Sequence, residues 1–370
     1  SIKNAINDGT ISEKRLEYSV KKILMAKYKA GLHNNNQIDL INIVEDMNSS
    51  VDKLLFEEIT EKSITLIKNN DDILPIKDIS KRIAFVEMGD SNSDEFFKIL
   101  NHYTKVDKVE FDTELLRKLK PYSTVIIGFH KSNNSPFDSY KFSKSEKEFF
   151  ESISINKNII LNVFAKPYAL MDINLTNISS ILVSYQNNSV AQNKSAQIIF
   201  GALPAVGKLP VSLSKQYPLN TSIQTKTINR LSYGLPKSKN FDLVKLNLID
   251  SIVENSIEKK MMPGAQILVS KNGRVIFNKS YGHKTYEKLE LIDWNNIYDL
   301  ASLTKILSSV PLLMNEYENN TINKESTLSD LFPNSYLKDK GDLLLIDMLS
   351  HQSGLYPWIP FYKETLDSVR

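Results

Sequence analysis

Ser302 and Lys305, three positions apart in DLASLTK (299–305), are the pair whose residue types and spacing point most directly to covalent chemistry. On a helix that starts here the two side chains share a face, so the amine can reach the hydroxyl. A serine in a first helical turn also sits at the positive end of the helix dipole. That field helps stabilise an alkoxide developing on Ser302 and lets the neighbouring amine serve as base. The competing reading is that Ser302 is only the polar start of a helix, because Ser-x-x-Lys arises by chance in a chain with 46 lysines and arginines.

Other chemistries find less support. With no cysteine, disulfides, thiolate metal sites and cysteine catalysis are excluded together, while the redox compartment stays open. The five histidines, His33, His102, His130, His283 and His351, are scattered without helical ligand spacing, so most are expected at the surface or in loops and no metal is expected. Met88-Gly89-Asp90-Ser91-Asn92 follows the first strand with one glycine where a dinucleotide fingerprint needs three, so no cofactor is expected either. A net charge of +3 over 370 residues gives no reason to expect nucleic acid, and no apolar run is long enough for a transmembrane segment.

The elements that must position Ser302 and Lys305 can be read from periodicity. Residues 12–31 predict a helix capped by Ser12 and stopped at Gly31, with Leu16, Val20, Ile23 and Leu24 on one face. A second helix is expected after Ser49 or Ser50, running through KLLFEEITEKSITLI. RIAFVEM, STVIIGF, NIILNVFA and SSILVSY then read as strands buried on both faces, alternating with helical SDEFFKIL, TELLRKLK and KSEKEFFESI. That alternation predicts an α/β fold, a three-layer α/β sandwich with a mostly parallel sheet. A helix around VAQNKSAQIIFG should lead to GKLPVSL, an edge strand because of Pro210. Residues 214–240 read as a linker or long surface connection. Beyond it come a helix over roughly 242–259, a hairpin turning at Asn272-Gly273, and the helix ILSSVPLLMNEYE after the Ser302 motif.

PGAQILVSKNGRVIFNKSYG, DLASLTK and MLSHQSGLYPW, in that order and spacing, resemble the front half of the serine beta-lactamase and penicillin-binding-protein superfamily, class C/esterase type. The resemblance implies an α+β serine hydrolase domain in which Ser302 is acylated and Lys305 assists proton transfer, with His351 and Ser353 as scaffold. The family's Tyr-x-Asn motif and late-strand triad are not among these residues; Tyr356 has Trp358 two places on and does not match.

AINDGTISEKRLEYSVKKILMAKYKAGL, EEITEKSITLIKNNDDILPI and GALPAVGKLPVSL are similar to family 3 glycoside hydrolases, at the last barrel helix and the sandwich domain that follows. No Asp or Glu here matches that family's nucleophile. Together the resemblances imply residues 1–48 as a barrel remnant, 49–213 as the sandwich domain, 214–240 as linker and 241–370 as the first half of the serine hydrolase domain. The chain is then expected to be an internal fragment of a bacterial beta-N-acetylglucosaminidase-like enzyme fused to a beta-lactamase-like domain. Its expected substrates are a carbohydrate or peptidoglycan-derived glycan and an ester or amide, and its expected location is periplasmic or exported. The alternatives are a non-catalytic beta-lactamase-like domain that binds or organises, and a nucleotide-binding α/β protein.

Overall fold

Four short aliphatic runs become parallel strands of one sheet in the structure, a computed structural model that describes residues 1–34, 40–153, 157–236, 243–333 and 337–365. The chain divides into two compact units at Trp294/Asn295. In the first, β1 (Thr65–Asn69), β2 (Ile83–Gly89), β3 (Val106–Val109), β4 (Thr124–His130), β5 (Asn158–Phe164) and β6 (Ser180–Val183) are ordered β1-β6-β5-β4-β2-β3. Only β1 runs antiparallel to its neighbour.

The strand period of two divides the core between the sheet's faces. Ala84, Val86, Val125, Ile127 and Leu161 share one cluster with Phe149 and Phe150. Their alternates Ile83, Phe85, Ile126 and Ile160 share the other with Phe96, Ala196 and Ile199. The helices supplying these partners are α5 (Asp94–Leu100), α6 (Leu115–Lys118), α7 (Lys144–Ser152) and α8 (Ser189–Ile199). The three-layer α/β arrangement is therefore the one the alternation implied.

Ahead of the sheet lie α1 (Ile2–Asn7), α2 (Glu13–Lys29), α3 (Ile43–Met47) and α4 (Ser50–Ser63). Ser12 caps α2 by accepting from the Arg15 amide, Gly31 follows at φ 76°, and the face carrying Val20, Ile23 and Leu24 is exposed. The second helix is shorter than predicted. It stops at Ser63, because Ile64, Thr65 and Leu66 are wholly buried and the chain turns extended at Ile64 to pair β1 with β6. β-branched residues fit that pleated surface better than a helix end. GKLPVSL is also not a strand: Leu209 exchanges backbone bonds with Asn220 and Thr221, and the pairing goes no further. The four-residue strand β3 had no clear signal in VDKV.

The connection after residue 213 is not a loose linker where it is described. Ile223 donates to the Leu66 carbonyl, Thr225 to Ala205 and Ile228 to Gly201. It ends in β7 (Ser232–Tyr233), which joins a second sheet ordered β7-β9-β8, from β8 (Gly264–Lys271) and β9 (Arg274–Gly282). Asn272 and Gly273 turn that hairpin at φ 52° and 73°, as two left-handed residues are needed to match strand twist. α9 (Leu243–Glu258) packs on β9. Residues 237–242, which span the expected linker boundary at 240/241, and 366–370 lie outside the described residues.

The second unit holds a π-helical segment (Lys305–Ser309), α10 (Val310–Glu318), α11 (Leu328–Leu331) and α12 (Leu345–Leu349). Among the described residues no helix is long and apolar enough to cross a membrane.

Candidate active site

Lys305 Nζ lies 3.0 Å from Ser302 Oγ and donates a hydrogen bond to it. The backbone explains the approach. Leu303, Thr304 and Lys305 each donate to the carbonyl three residues back, at 2.9, 3.1 and 3.1 Å. Such tight turns bring positions i and i+3 almost into eclipse, setting the lysine over the serine. The widened π-helical segment begins at Lys305 itself, and π-helical turns are concentrated at functional sites.

The turn before Ser302 is strained. Ala301 sits at φ 43°, in the left-handed region that costs a residue with a Cβ about 1 kcal/mol or more, and its amide is held by Asp299 Oδ1 at 2.6 Å. A conformation of that kind persists only if its surroundings impose it. Here Asp299 supplies one clear constraint. Neither Ala301 nor Asp299 belongs to the Ser-x-x-Lys spacing, and a positive φ at alanine leaves no trace in sequence.

Ser302 and Lys305 are both exposed. In water an ammonium donates, as here; for base catalysis the amine must instead accept the hydroxyl proton as the oxygen attacks. Further along, α10 and α12 line an apolar hollow of about 460 Å³ that includes Leu313, Met314, Tyr317 and Ile346. His351 follows α12 at φ 58°, its amide bonded to the Met348 carbonyl, which is a helix-terminating role.

The sheet of the first unit has its own chemically loaded edge. Strand order reverses between β2 and β4, and ligands of open α/β sheets commonly bind outside the carboxyl ends at such a point. Here Glu146 Oε1 accepts from the Gly89 amide at 2.7 Å, so a carboxylate occupies the position a phosphate would need. Lys131 pairs with Asp90 beside it.

His130, one of five histidines of which most are expected at the surface or in loops, is wholly buried at the end of β4. Its ring stacks on Phe164 at 4.3 Å and lies near Phe85 and Phe96. The apolar run of β4 continues through its last residue, and sequence alone could not tell a terminal histidine in the core from one beyond it. Asn187 Nδ2 donates to the Asn92 carbonyl, so Asn187 Oδ1 is the acceptor and His130 Nδ1 carries the proton at 2.8 Å. Nε2 is buried and has no hydrogen-bond partner. Burial accordingly lowers the imidazole to about 4, outweighing Asn187 and Glu87, which favour the charged ring. Among the described residues, no group of three or more His, Cys, Asp or Glu side chains is arranged to hold a metal.

Comparison with known proteins divides the sequence between two families. Residues 64–243 match the glycosyl hydrolase family 3 C-terminal domain, and residues 249–368 match the beta-lactamase family. A probable beta-glucosidase C of Aspergillus flavus is 30% identical over 210 residues, covering 56% of this chain and 32% of that protein. An N-acetylmuramyl-L-alanine amidase of Bacillus subtilis is 31% identical over 153 residues, covering 38% of this chain and 33% of that one. A solved family 3 beta-N-acetylglucosaminidase from Paenibacillus sp. str. FPU-7 aligns over 57% of this chain and 42% of its own, at 20% identity and a TM-score of 0.39. The chain spans about a third of the length of the two curated relatives named.

Proposed function

We propose, from a chain that joins a glycosyl hydrolase family 3 C-terminal domain to a beta-lactamase family domain, that the protein is a two-activity hydrolase of cell-wall glycan. The glycosidase half cleaves a β-linked sugar, N-acetylglucosamine by this reading, with the catalytic carboxylates outside the residues named here. The second half cleaves an amide or ester through an acyl-enzyme on Ser302. Ser302 Oγ adds to the substrate carbonyl as its proton passes to the Lys305 amine. The tetrahedral intermediate then expels an amine or alcohol that takes that proton, and water releases the acid from the ester left on Ser302.

The observation that carries this reading is the 3.0 Å contact between Lys305 Nζ and Ser302 Oγ, behind a strained residue that aims the serine. An amidase of muramyl-L-alanine bonds among the relatives favours the amide over the ester and a peptidoglycan-derived substrate. By the same reading the enzyme is periplasmic or exported, on the side of the membrane where the cell wall lies.

The test is covalent labelling of the full-length protein with a fluorophosphonate or penicillin probe. Labelling that disappears in Ser302→Ala and falls at least a hundredfold in rate in Lys305→Met supports the acyl-enzyme. Labelling that survives Ser302→Ala overturns it. No labelling of the unaltered protein favours the non-catalytic binding role, to which the exposure of both side chains also lends weight.

A further inference from the structure

A buried ion cluster ties the hairpin β8–β9, which falls in the beta-lactamase match, to the sandwich of the glycosyl hydrolase match. Both lie in the first compact unit. Glu57 Oε2 on α4 accepts from Lys194 Nζ on α8 and from Arg274 Nη2 at the start of β9, both at 2.9 Å. Glu61 Oε2, one turn along α4, stands 3.9 Å from Arg274 Nη1. The side chains of Lys194 and Arg274 are only 1% and 7% exposed, and those of Glu57 and Glu61 14% and 12%. Two cations and two carboxylates therefore balance where water scarcely reaches them, and charges so placed must be matched.

The connecting strand is threaded through the same cluster. The Leu235 amide donates to Glu57, and the Leu235 carbonyl accepts from Arg274 Nε at 2.8 Å. Tyr233's carbonyl accepts from Lys194 and Gln197, while its amide donates to Gln197 Oε1. Gly234, at φ 149°, leaves room for nothing more: a Cβ there would overlap Arg274 Nη2, Lys194 Nζ and Glu57 Oε2. Beside the charges, the His102 ring packs between Tyr233 at 4.7 Å and Trp294 at 5.6 Å. The contacts of Arg274 with Glu57, Glu61 and Leu235, and of Trp294 with His102, reach from the beta-lactamase match to residues ahead of it.

We propose that the Glu57–Lys194–Arg274 cluster is a latch that makes the hairpin of the beta-lactamase family domain a fixed part of the glycosyl hydrolase unit, closed only against the folded sandwich. The hairpin then has no independent folded state, because opening it strips Arg274 of the Glu57 and Glu61 carboxylates that hold it. The two families are joined by structure as well as by covalent sequence. This holds whether or not Ser302 reacts.

Hydrogen–deuterium exchange on the 370-residue chain tests it. Arg274→Met and Gly234→Ala should each speed exchange of peptides covering 264–282 at least tenfold while β4 and β5 keep their rates. The Glu57→Gln/Arg274→Met double variant should open the hairpin no further than the faster of its two single variants. Hairpin exchange within twofold of the unaltered chain in both single variants overturns the latch, as does equal acceleration of hairpin and sandwich. Should those variants fail to fold, exchange of the unaltered chain in rising urea decides. A hairpin that always opens before or with the sandwich supports the latch; one still protected after the sandwich has opened overturns it.

Discussion

Acid should loosen the sandwich domain through His130, and the size of the effect follows from its surroundings. The folded ring's value of about 4 stands about 2.5 below the ordinary 6.5, which at roughly 1.4 kcal/mol per pH unit is on the order of 3 kcal/mol. The sign follows from proton binding. Between pH 6.5 and 4 the unfolded chain binds a proton that the folded ring refuses, so stability is full above about 6.5, falls with pH, and loses nothing further from this group below about 4. The cause is spatial: Nε2 faces the Phe85 side and the backbone of Gly128, where a new N–H would meet no acceptor. Urea unfolding between pH 4 and 7 measures this, compared with His130→Leu, which cannot titrate. Both tryptophans, Trp294 and Trp358, lie outside the six-stranded sheet, so far-UV circular dichroism or exchange at β4 should be followed in place of fluorescence. Carboxylates titrating in the same window cancel in the comparison. If the variant loses stability with acid as steeply as the unaltered chain, the reasoning about His130 is wrong.

Three further outcomes are expected. Gly89→Ala should destabilise the sandwich by about 2 kcal/mol or more, since φ is 91° and a Cβ would overlap the His130 carbonyl, and a lowered urea midpoint would register it. Arg230→Met should cost about 2 to 4 kcal/mol by the same measurement, because its guanidinium donates to the carbonyls of Ile76, Phe200 and Lys77 at 2.6, 2.7 and 3.0 Å and all three would lose a charged donor. The 370-residue chain alone should turn over neither a chromogenic N-acetylglucosaminide nor an acetyl ester at an appreciable rate, since the carboxylate pair and the oxyanion donors such reactions need are not assembled among the residues described; robust turnover in a plate assay would contradict this.

What could be read from the sequence were the features fixed by near neighbours. The parallel strands announce themselves because IIGF and NIILNVF are apolar on both faces, and the hairpin because Asn272-Gly273 accepts two positive φ angles. Ser302 and Lys305 come together because three residues of tight turn are enough to do it. The features that escaped depend on distant partners. SITLI reads as helix until β6 offers Thr65 and Leu66 a ladder, and nothing local marks His130 as a core residue until Phe164 and Asn187 close around it. Glu57, Lys194 and Arg274 look like ordinary surface charges in their own segments. Their roles exist only because positions 137 and 217 residues from Glu57 meet it at 2.9 Å.

The geometry at Ser302 also says what a substrate must change. As it stands, the exposed ammonium gives a proton's share to the hydroxyl, which makes the oxygen a poorer nucleophile rather than a better one. Reversing that bond requires the amine to accept the hydroxyl proton in place of donating to the oxygen. The strained turn at Ala301 can keep the serine aimed while this happens, but it cannot choose the direction of the proton. Position therefore comes from the local sequence, and reactivity must come from whatever closes over the pair. On this account Ala301→Gly, which removes the penalty of the left-handed turn without touching either side chain, should leave labelling of the full-length protein within a few-fold. Lys305→Met should abolish most of it at every pH tested. Equal losses in the two variants would mean that the turn governs reactivity as much as the amine does, and would refute this account.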